Sequence, residues 1–351
     1  MLSTDQVLSS TRHYKQAFEE GLTDILLSRT AGTFILACAN IIQHPELLEK
    51  NSKLLREVYT DIEDHYRICR SNNQQPDDSA DDITVMDKII DIGLDNLEPL
   101  QSRQLDTDTA TYQLSFNQLR SFRPERMSTV KDIQINTEFN PNGFHFHKPF
   151  LKKEIFSEGV FNGKNISFFY NKFPFVKYHA LLVANKEQHN NQYLSKEYLN
   201  YIFSFQAHVQ KNIPAAVTAY NTLGAGASVN HLHFQIFIED RPLPVFSESF
   251  LHNGGSHPYP ATCHAFADTE KCWHFIQKLY TDNVPFNLLF KNKRIYCLPR
   301  NIVTNKHHQF NTTTCGWSEM AGAFTMTNKD IFESITVDNL IDTIRDLAAP
   351  F

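Results

Sequence analysis

The stretch GAGASVNHLHFQ, from Gly224 to Gln235, joins a turn of small residues to two histidines and a glutamine. The residues HLHFQIFI at 231–238 alternate with the period of two that sends successive side chains of a β-strand to opposite faces. His231, His233 and Gln235 therefore share one face of a predicted strand, with neighbouring Cβ atoms roughly 6–7 Å apart. The small residues leave backbone N–H groups free to contact an anion. A phosphate fits this combination better than a metal ion.

Length and composition permit an enzyme and argue against two other classes of protein. The chain has 351 residues, 41% of them hydrophobic, which predicts a large core and two structural units. A net charge of −6 and a pI near 6.2 argue against nucleic acid as a partner, because such binding needs many lysines and arginines. Residues 1–20 lack the pattern of a signal peptide, and no apolar run reaches the thickness of a bilayer. The sequence therefore predicts a cytoplasmic protein with no membrane partner.

The six cysteines include no CxxC pair, so neither a disulfide framework nor a standard structural zinc site is indicated. One loose group remains, formed by Cys263, His264, Cys272 and His274. Its spacing matches no common zinc pattern, and metal binding there is the less favoured interpretation.

Three segments of the chain differ in composition and in the spacing of their apolar residues. Residues 1–70 carry apolar residues at helical spacing, with Pro45 suited to the first turn of a helix. Residues 71–82, SNNQQPDDSADD, are polar and acidic, which predicts a linker or loop. Residues 83–351 alternate short strands with a few helices, which predicts an α+β fold with a mainly antiparallel sheet flanked by helices. The helical N-terminal extension is interpreted as a cap on this domain rather than as a regulatory unit.

The expected strands are rich in aromatic and β-branched residues. They are TYQLSF at 111–116, GFHFHK at 143–148, KNISFFY at 164–170, HALLVA at 179–184, AVTAY at 216–220, HLHFQIFI at 231–238, FNLLF at 286–290 and RIYCLP at 294–299. A helix is predicted over 195–212 with Ser195 as its N-cap, and a second helix near 330–347 closes the chain.

The stretch GASVNHLHFQ resembles the His-x-His-x-Gln signature in the transferase branch of the histidine-triad superfamily. That branch includes galactose-1-phosphate uridylyltransferase, diadenosine tetraphosphate phosphorylase and the GDP-hexose phosphorylases. Four further stretches are similar to the GDP-hexose phosphorylases in their order along the chain, namely 112–125, 170–189, 284–301 and 316–330. The resemblance covers roughly residues 105–350 and implies a histidine-triad-like fold for this domain.

The resemblance implies nucleotidyl transfer through a covalent nucleotidyl-histidine intermediate. His233 would attack the α-phosphorus of a nucleotide, because neutral imidazole is a good nucleophile and its phosphoramidate stays reactive. Gln235 would donate amide hydrogen bonds to the phosphoryl oxygens without offering a transferable proton. Either the His231 side chain or its backbone carbonyl would fix the tautomer of His233. The predicted catalytic residues are thus His233, Gln235 and His231, with no metal ligand among them.

The resemblance also implies residues that contact the nucleotide and its phosphates. They are Gly226, Ser228, Asn230, Asn171, His179, Asn117, Arg120 and Arg294, with Arg300 as an alternative to Arg294. Arginine presents a rigid fork of donors to phosphate, which is the reason to consider it. For Asn171 and His179, roles in turn formation and packing are equally open. Lys172 and Tyr178 depart from the usual family pattern, and Glu319 has no assigned mechanism.

The function predicted first is a phosphorylase that cleaves a nucleoside diphosphate sugar, with GDP-hexose as the first candidate and phosphate as the acceptor. A phosphorylase of dinucleoside polyphosphates is the nearest alternative. The covalent step is expected to require no cofactor, while magnesium can accompany the phosphates. A homodimer is left open.

Two other classes of function compete with this one. In the first, His231, His233 and Glu239 bind a divalent metal on a β-barrel, and the second His-x-His pair, His145 and His147, adds ligands. For that second pair, alternating positions on a solvent-facing strand are favoured. The second class is a nucleotide-binding module without catalysis, which has no need of a histidine nucleophile.

Overall fold

The structure, a computed structural model, describes residues 3–123, 134–302 and 315–351. The helices in these ranges are α1 Thr4–Val7, α2 Thr11–Leu26, α3 Ala31–Ile41, α4 Pro45–Ser71, α5 Ala80–Ile92, α6 Gln118–Ser121, α7 Lys196–Asn212, α8 Thr269–Thr281, α9 Trp317–Met320, α10 Lys329–Ser334 and α11 Val337–Leu347. The strands are β1 Gln101–Asp106, β2 Thr111–Phe116, β3 Ile155–Phe161, β4 Lys164–Tyr170, β5 Ala180–Ala184, β6 Ala216–Asn221, β7 Phe234–Ile238, β8 His264–Phe266, β9 Phe286–Lys291, β10 Arg294–Pro299 and β11 Ala323–Met326. No helix within the described ranges is long and apolar enough to span a bilayer.

Two sheets organise the described part of the chain. Eight of its strands form the larger sheet in the order β3-β4-β5-β7-β6-β9-β10-β8, and each neighbouring pair is antiparallel. The smaller sheet has the order β1-β2-β11, in which β2 and β11 run parallel. The predicted α+β fold with a mainly antiparallel sheet is therefore confirmed.

Strand β7 lies between two hydrophobic cores. Phe234, Ile236 and Ile238 belong to the core that the larger sheet shares with α2, α3, α7 and α8. Phe237 belongs to the opposite core, together with Trp317 and residues of the smaller sheet. Because side chains alternate along a strand, Gln235 lies on the same face as Phe237. The candidate site is therefore on the face of the larger sheet that is turned away from these four helices.

The helices α2 to α5, here called the helical layer, share one hydrophobic core with the larger sheet. The ring of Phe18 in α2 lies 4.8 to 5.5 Å from the rings of Phe156, Tyr170 and Tyr178. The expected domain boundary at residue 83 falls inside α5, and the loop that was predicted over 71–82 starts after Ser71 and ends before Ala80.

Three predicted elements differ from the structure. Residues 143–148, predicted as a strand, form a loop, because the Phe146 N–H donates to a histidine ring instead of a neighbouring strand. The strand predicted over 231–238 begins at Phe234. The helix predicted near 330–347 is two helices, because Ile335 is extended and Thr336 caps α11. The strands β1, β3, β8 and β11 were not predicted.

Other predictions about local structure are confirmed. The helix over 195–212 is α7, and the Ser195 side chain accepts a hydrogen bond from the Tyr198 N–H at 3.3 Å. A helix begins at Pro45, as the spacing of apolar residues indicated. Both elements are specified by residues close together in the sequence, which is why local patterns find them.

We predict that Phe18→Ala destabilises the whole domain and not the helical layer alone. Phe18 is fully buried at the junction of α2 and the sheet, and truncation of a buried phenylalanine costs about 3–5 kcal/mol. Urea unfolding followed by far-UV circular dichroism and by tryptophan fluorescence should give one shared, shifted transition. The control is Ile68→Ala, because Ile68 in α4 is 59% exposed. Two separate transitions in Phe18→Ala would contradict a common core.

Candidate active site

The ring and the backbone of His233 are each held by hydrogen bonds, the ring by its own segment of backbone. Its ring Nδ1 lies 2.8 Å from the backbone carbonyl oxygen of His231, and a carbonyl can only accept. The proton is therefore on Nδ1, and Nε2 carries the free lone pair. Of the two ways to fix this tautomer that the sequence left open, the structure has the backbone carbonyl. His233 is 6% exposed, and burial lowers its pKa to about 4, so the ring is neutral near pH 7.

The backbone of His233 is held by the side chain of Gln192. The His233 N–H donates to Gln192 Oε1 at 2.9 Å, and Gln192 Nε2 donates to the His233 carbonyl at 3.2 Å. Gln192 Nε2 also donates to the Asn221 carbonyl in β6 at 2.8 Å. This fully buried amide replaces a neighbouring strand just before β7 begins, which explains the late start of that strand.

His231 has the opposite tautomer from His233. The Phe146 N–H donates to His231 Nδ1 at 3.0 Å, so the proton of the neutral ring is on Nε2. Burial, and to a smaller extent the nearby ring of His233, lowers the pKa of His231 to about 3. The Phe146 ring lies 5.1 Å from that of His233 and forms an apolar wall beside the candidate nucleophile.

Gln235 is oriented by two donors. The indole Nε1–H of Trp317 donates to Gln235 Oε1 at 2.9 Å, and His179 Nε2 lies 2.8 Å from the same oxygen. An indole N–H can only donate, so this oxygen is the carbonyl oxygen and the Gln235 NH₂ group points elsewhere. Within the described residues that NH₂ group has no hydrogen-bond partner, which makes it available to a ligand.

His179 connects Gln235 to the turn that precedes β5. Since Oε1 of Gln235 accepts, His179 must donate from Nε2, and its Nδ1 must accept from Asn171 Nδ2 at 3.3 Å. Asn171 Oδ1 accepts in turn from the Phe173 N–H at 3.0 Å. Burial lowers the pKa of His179 to about 3, in agreement with a neutral ring that has one donor and one acceptor. Asn171 and His179 thus position Gln235.

The small-residue turn before the histidines depends on a close backbone contact. Gly226 has a φ of +99°, and a Cβ atom at this position would lie 2.7 Å from Cα of Gly316, just before α9. The backbone N–H groups of Gly226 and Ser228 have no hydrogen-bond partner within the described ranges. The Ser228 side chain is exposed. These donors are the ones that the sequence assigned to phosphate oxygens.

Three other predicted binding residues have structural partners. Asn117 is buried, accepts from the Arg120 N–H at 3.1 Å and donates to the Pro174 carbonyl at 3.1 Å. Arg120 donates to the Phe173 carbonyl at 2.6 Å and lies over the Phe175 ring. Both residues therefore shape the turn around Phe173 and Pro174, next to Asn171. Asn230 accepts from the Gln192 N–H at 2.9 Å, which secures the loop before His231.

The two alternative arginines occupy opposite ends of β10. Arg294 is exposed at the start of the strand and is not brought to the histidines. Arg300 is 1% exposed and donates to Asn287 Oδ1 at 2.8 Å, while Asn287 donates to the Ala225 carbonyl at 2.7 Å. It therefore supports the small-residue turn from behind. Glu319 accepts from the Gly316 N–H at 2.8 Å, and burial raises its pKa.

The residues considered as metal ligands make other contacts in the structure. Glu239 forms an ion pair with Lys291 and accepts from the Leu243 N–H. His145 is buried and His147 is exposed in the loop that includes Phe146, so the favoured strand interpretation of this pair is wrong. His264 and His274 contact the Phe351 and Glu270 carbonyls. Across the described ranges, no group of three or more His, Cys, Asp or Glu side chains could hold a metal ion.

The sequence did not assign roles to three residues that shape the site, namely Gln192, Trp317 and Phe146. Trp317 lies in GWSEMAG, one of the stretches that carries the resemblance, and this was the only available signal for it. Gln192 lies in a polar loop, where no pattern distinguishes it, and Phe146 lies in the stretch 143–148 that the sequence predicted as a strand. The last two residues of the similar stretch 112–125 lie outside the described residues.

Known proteins are similar to this chain over one domain and in their fold. Residues 96–237 match the family model described as GDPGP1-like, N-terminal domain. The structure of yeast Ap4A phosphorylase Apa2 in complex with AMP is similar with a TM-score of 0.50 and 17% identity, over 78% of this chain and 97% of that one. The complex of the same yeast enzyme with Ap4A gives a TM-score of 0.50 and 16% identity, over 77% and 98%. No curated protein sequence matches the chain significantly.

These findings indicate an enzyme of the nucleotidyltransferase or phosphorylase type. More specifically, residues 96–237 are similar to a GDPGP1-like N-terminal domain, which agrees with the resemblance to the GDP-hexose phosphorylases seen in the sequence.

The buried neutral histidines predict a loss of stability at mildly acidic pH. The pKa values of His179, His231 and His233 lie near 3 to 4 in the folded chain, against about 6.5 when unfolded. The unfolded chain therefore binds protons first as the pH falls below 6.5, and each histidine lowers the free energy of unfolding by on the order of 1 kcal/mol at about pH 5.5. Urea unfolding at about pH 7 and pH 5.5 measures the change. Equal stability at both values would contradict buried neutral imidazoles.

Proposed function

We propose that the protein is a phosphorylase that transfers a nucleoside monophosphate from a nucleotide donor to phosphate through His233. The observation that carries this proposal is the hydrogen bond of His233 Nδ1–H to the His231 carbonyl, which leaves Nε2 as an unprotonated nucleophile in a buried site. A residue that only bound phosphate would gain nothing from a fixed neutral tautomer. The first candidate donor is GDP-hexose.

In the first step, the Nε2 lone pair of His233 forms a bond to the α-phosphorus of the donor. The bond from that phosphorus to the bridging oxygen breaks, and hexose 1-phosphate leaves with the bonding electrons. No proton moves on His233, because Nδ1 keeps its proton throughout. The ring gains positive charge as the N–P bond forms, and the His231 carbonyl stabilises this charge through a strengthened hydrogen bond.

In the second step, an oxygen of inorganic phosphate attacks the same phosphorus, and the N–P bond breaks. The products are a nucleoside diphosphate and the restored neutral His233. Two displacements at a reactive phosphoramidate replace one difficult transfer between two anions.

Gln235 and the small-residue turn would hold the phosphoryl oxygens in both steps. The Gln235 NH₂ group is preorganised by Trp317 and His179, so it needs no reorientation when negative charge shifts on the phosphoryl group. The N–H groups of Gly226 and Ser228, which have no partner among the described residues, supply further neutral donors. An amide at position 235 offers no acid–base group, which by resemblance favours transfer over hydrolysis.

Two kinds of donor have support. The match of residues 96–237 to a GDPGP1-like domain favours a GDP-sugar. The similar yeast enzyme was crystallised with AMP and with Ap4A, which supports dinucleoside polyphosphates as the second candidate. In both cases a nucleoside monophosphate would pass to His233, so one experiment distinguishes them.

Intact-protein mass spectrometry after mixing with donor and no phosphate tests the proposal. GDP-hexose, UDP-hexose, ADP-hexose and diadenosine tetraphosphate are supplied separately. We expect a mass gain of one guanosine monophosphate with GDP-hexose, and its discharge as GDP when phosphate is added.

His233→Ala should form no adduct and should lower turnover by at least about 10⁴-fold, as expected for loss of a nucleophile. His274→Ala is the control, since His274 lies exposed on α8. An adduct with adenosine monophosphate from diadenosine tetraphosphate alone would select the second donor class. Normal turnover by His233→Ala would overturn the mechanism.

We also expect Trp317→Phe to slow adduct formation by about 10-fold, because Gln235 loses one of the two donors that orient its amide. The rate at saturating donor is measured by rapid quench. Trp273→Phe serves as control, since this other tryptophan lies on α8 beside Tyr280. Equal rates for the two variants would mean that the indole N–H does not position Gln235.

A further inference from the structure

The helical layer holds the turn that links β4 and β5, residues 171–178, here called the site turn. Asn40 Nδ2 donates to the Asn171 carbonyl at 2.9 Å. Gln43 Nε2 donates to the Pro174 carbonyl at 3.3 Å, and the Tyr14 hydroxyl donates to the Tyr178 carbonyl at 3.2 Å. Three separate carbonyls of one turn are thus satisfied by side chains of α2, α3 and the residues just after α3.

An ion pair adds to these contacts. Lys172 Nζ pairs with Asp82 of α5, and both side chains are largely buried. Gly32 in α3 permits this approach, because a Cβ atom there would lie 2.7 Å from the Asp82 carboxylate and 3.5 Å from Lys172 Nζ. Lys172, which departs from the usual family pattern, lies at the point where the helical layer meets the site turn.

The site turn leads directly to Gln235. The Asn171 backbone is held by Asn40, its side chain donates to His179, and His179 donates to Gln235 Oε1. Asn171 and His179 are consecutive members of this series, so a shift of the site turn changes the orientation of the Gln235 amide. The series links α3 to the candidate phosphate position through the buried side chains of Asn40 and His179 and the half-buried side chain of Asn171.

We infer that the helical layer is a working part of the active site, in which Asn40 and Asp82 are positioning residues that set the orientation of the Gln235 amide through the site turn. This inference rests on the proposed function for its effect on catalysis. Its structural content is independent of that function, because Trp317 donates to the same Gln235 oxygen and reports on its position.

Asn40 has a closely matched control in the same layer. Asn40 and Asn51 are 2% and 4% exposed, and each donates from Nδ2 to the carbonyl four residues earlier, at 2.8 Å and 2.9 Å. Asn40 also donates to the site turn, whereas Asn51 accepts from Thr23 within the helical layer. Replacement of each by leucine should therefore destabilise the protein similarly while only one variant loosens the site turn.

The test is a ¹H–¹⁵N NMR spectrum of the indole N–H groups, of which the chain has two. We expect Asn40→Leu to shift the Trp317 signal and to leave the Trp273 signal in place, while Asn51→Leu changes neither. The rate of nucleotidyl adduct formation at saturating donor should fall by about 10-fold in Asn40→Leu and stay unchanged in Asn51→Leu. A Trp317 signal that moves in both variants or in neither overturns the inference.

A second pair of variants provides the test if Asn40→Leu does not fold. Asp82→Asn should shift the Trp317 signal, whereas Asp87→Asn should not, because Asp87 pairs with Arg70 on the surface of the helical layer. Asp82→Lys combined with Lys172→Asp should restore the signal. If the wild-type protein forms no adduct with any donor, the proposed function fails, and the indole spectra still decide this inference.

Discussion

The site depends on the hydrogen bond from the Nδ1–H of His233 to the His231 carbonyl. A carbonyl cannot donate, so the backbone itself determines which ring nitrogen is protonated. No side chain could reverse this choice by taking up a proton. Gln192 holds the His233 backbone by its N–H and its carbonyl, which makes the tautomer as rigid as the sheet beside it. The tautomer that leaves Nε2 of His233 unprotonated is therefore a property of the fold.

The orientation of Gln235 is likewise determined by a group that can act only as a hydrogen-bond donor. The indole of Trp317 can only donate, and this single fact determines the direction of every hydrogen bond back through His179 to Asn171. The groups that result are neutral dipoles rather than charges. The orientation of these dipoles is set by the folded structure itself, so it requires no rearrangement when a ligand binds.

The features that were predicted correctly from the sequence are those that adjacent residues determine. The small-residue turn, the alternation along β7 and the Ser195 cap of α7 each depend on a few adjacent positions, and all three are present. Contacts between distant segments left no local signal. Gln192 acts on His233 across a loop, and β11 pairs in parallel with β2, so neither had a recognisable pattern. Arg294 was predicted to contact phosphate, but it does not lie near His231 and His233. Only the tertiary structure determines which end of a strand faces the site.

The contact between Gly226 and Gly316 has a consequence for how the protein is made. The turn acquires its shape from a segment that the ribosome synthesises much later than the histidines. A nascent chain that has emerged only as far as β10 contains His233 and Gln192 but lacks Trp317 and the glycine that supports the turn. The small-residue turn and the orientation of the Gln235 amide are therefore completed late in synthesis, after His233 and Gln192 have already emerged.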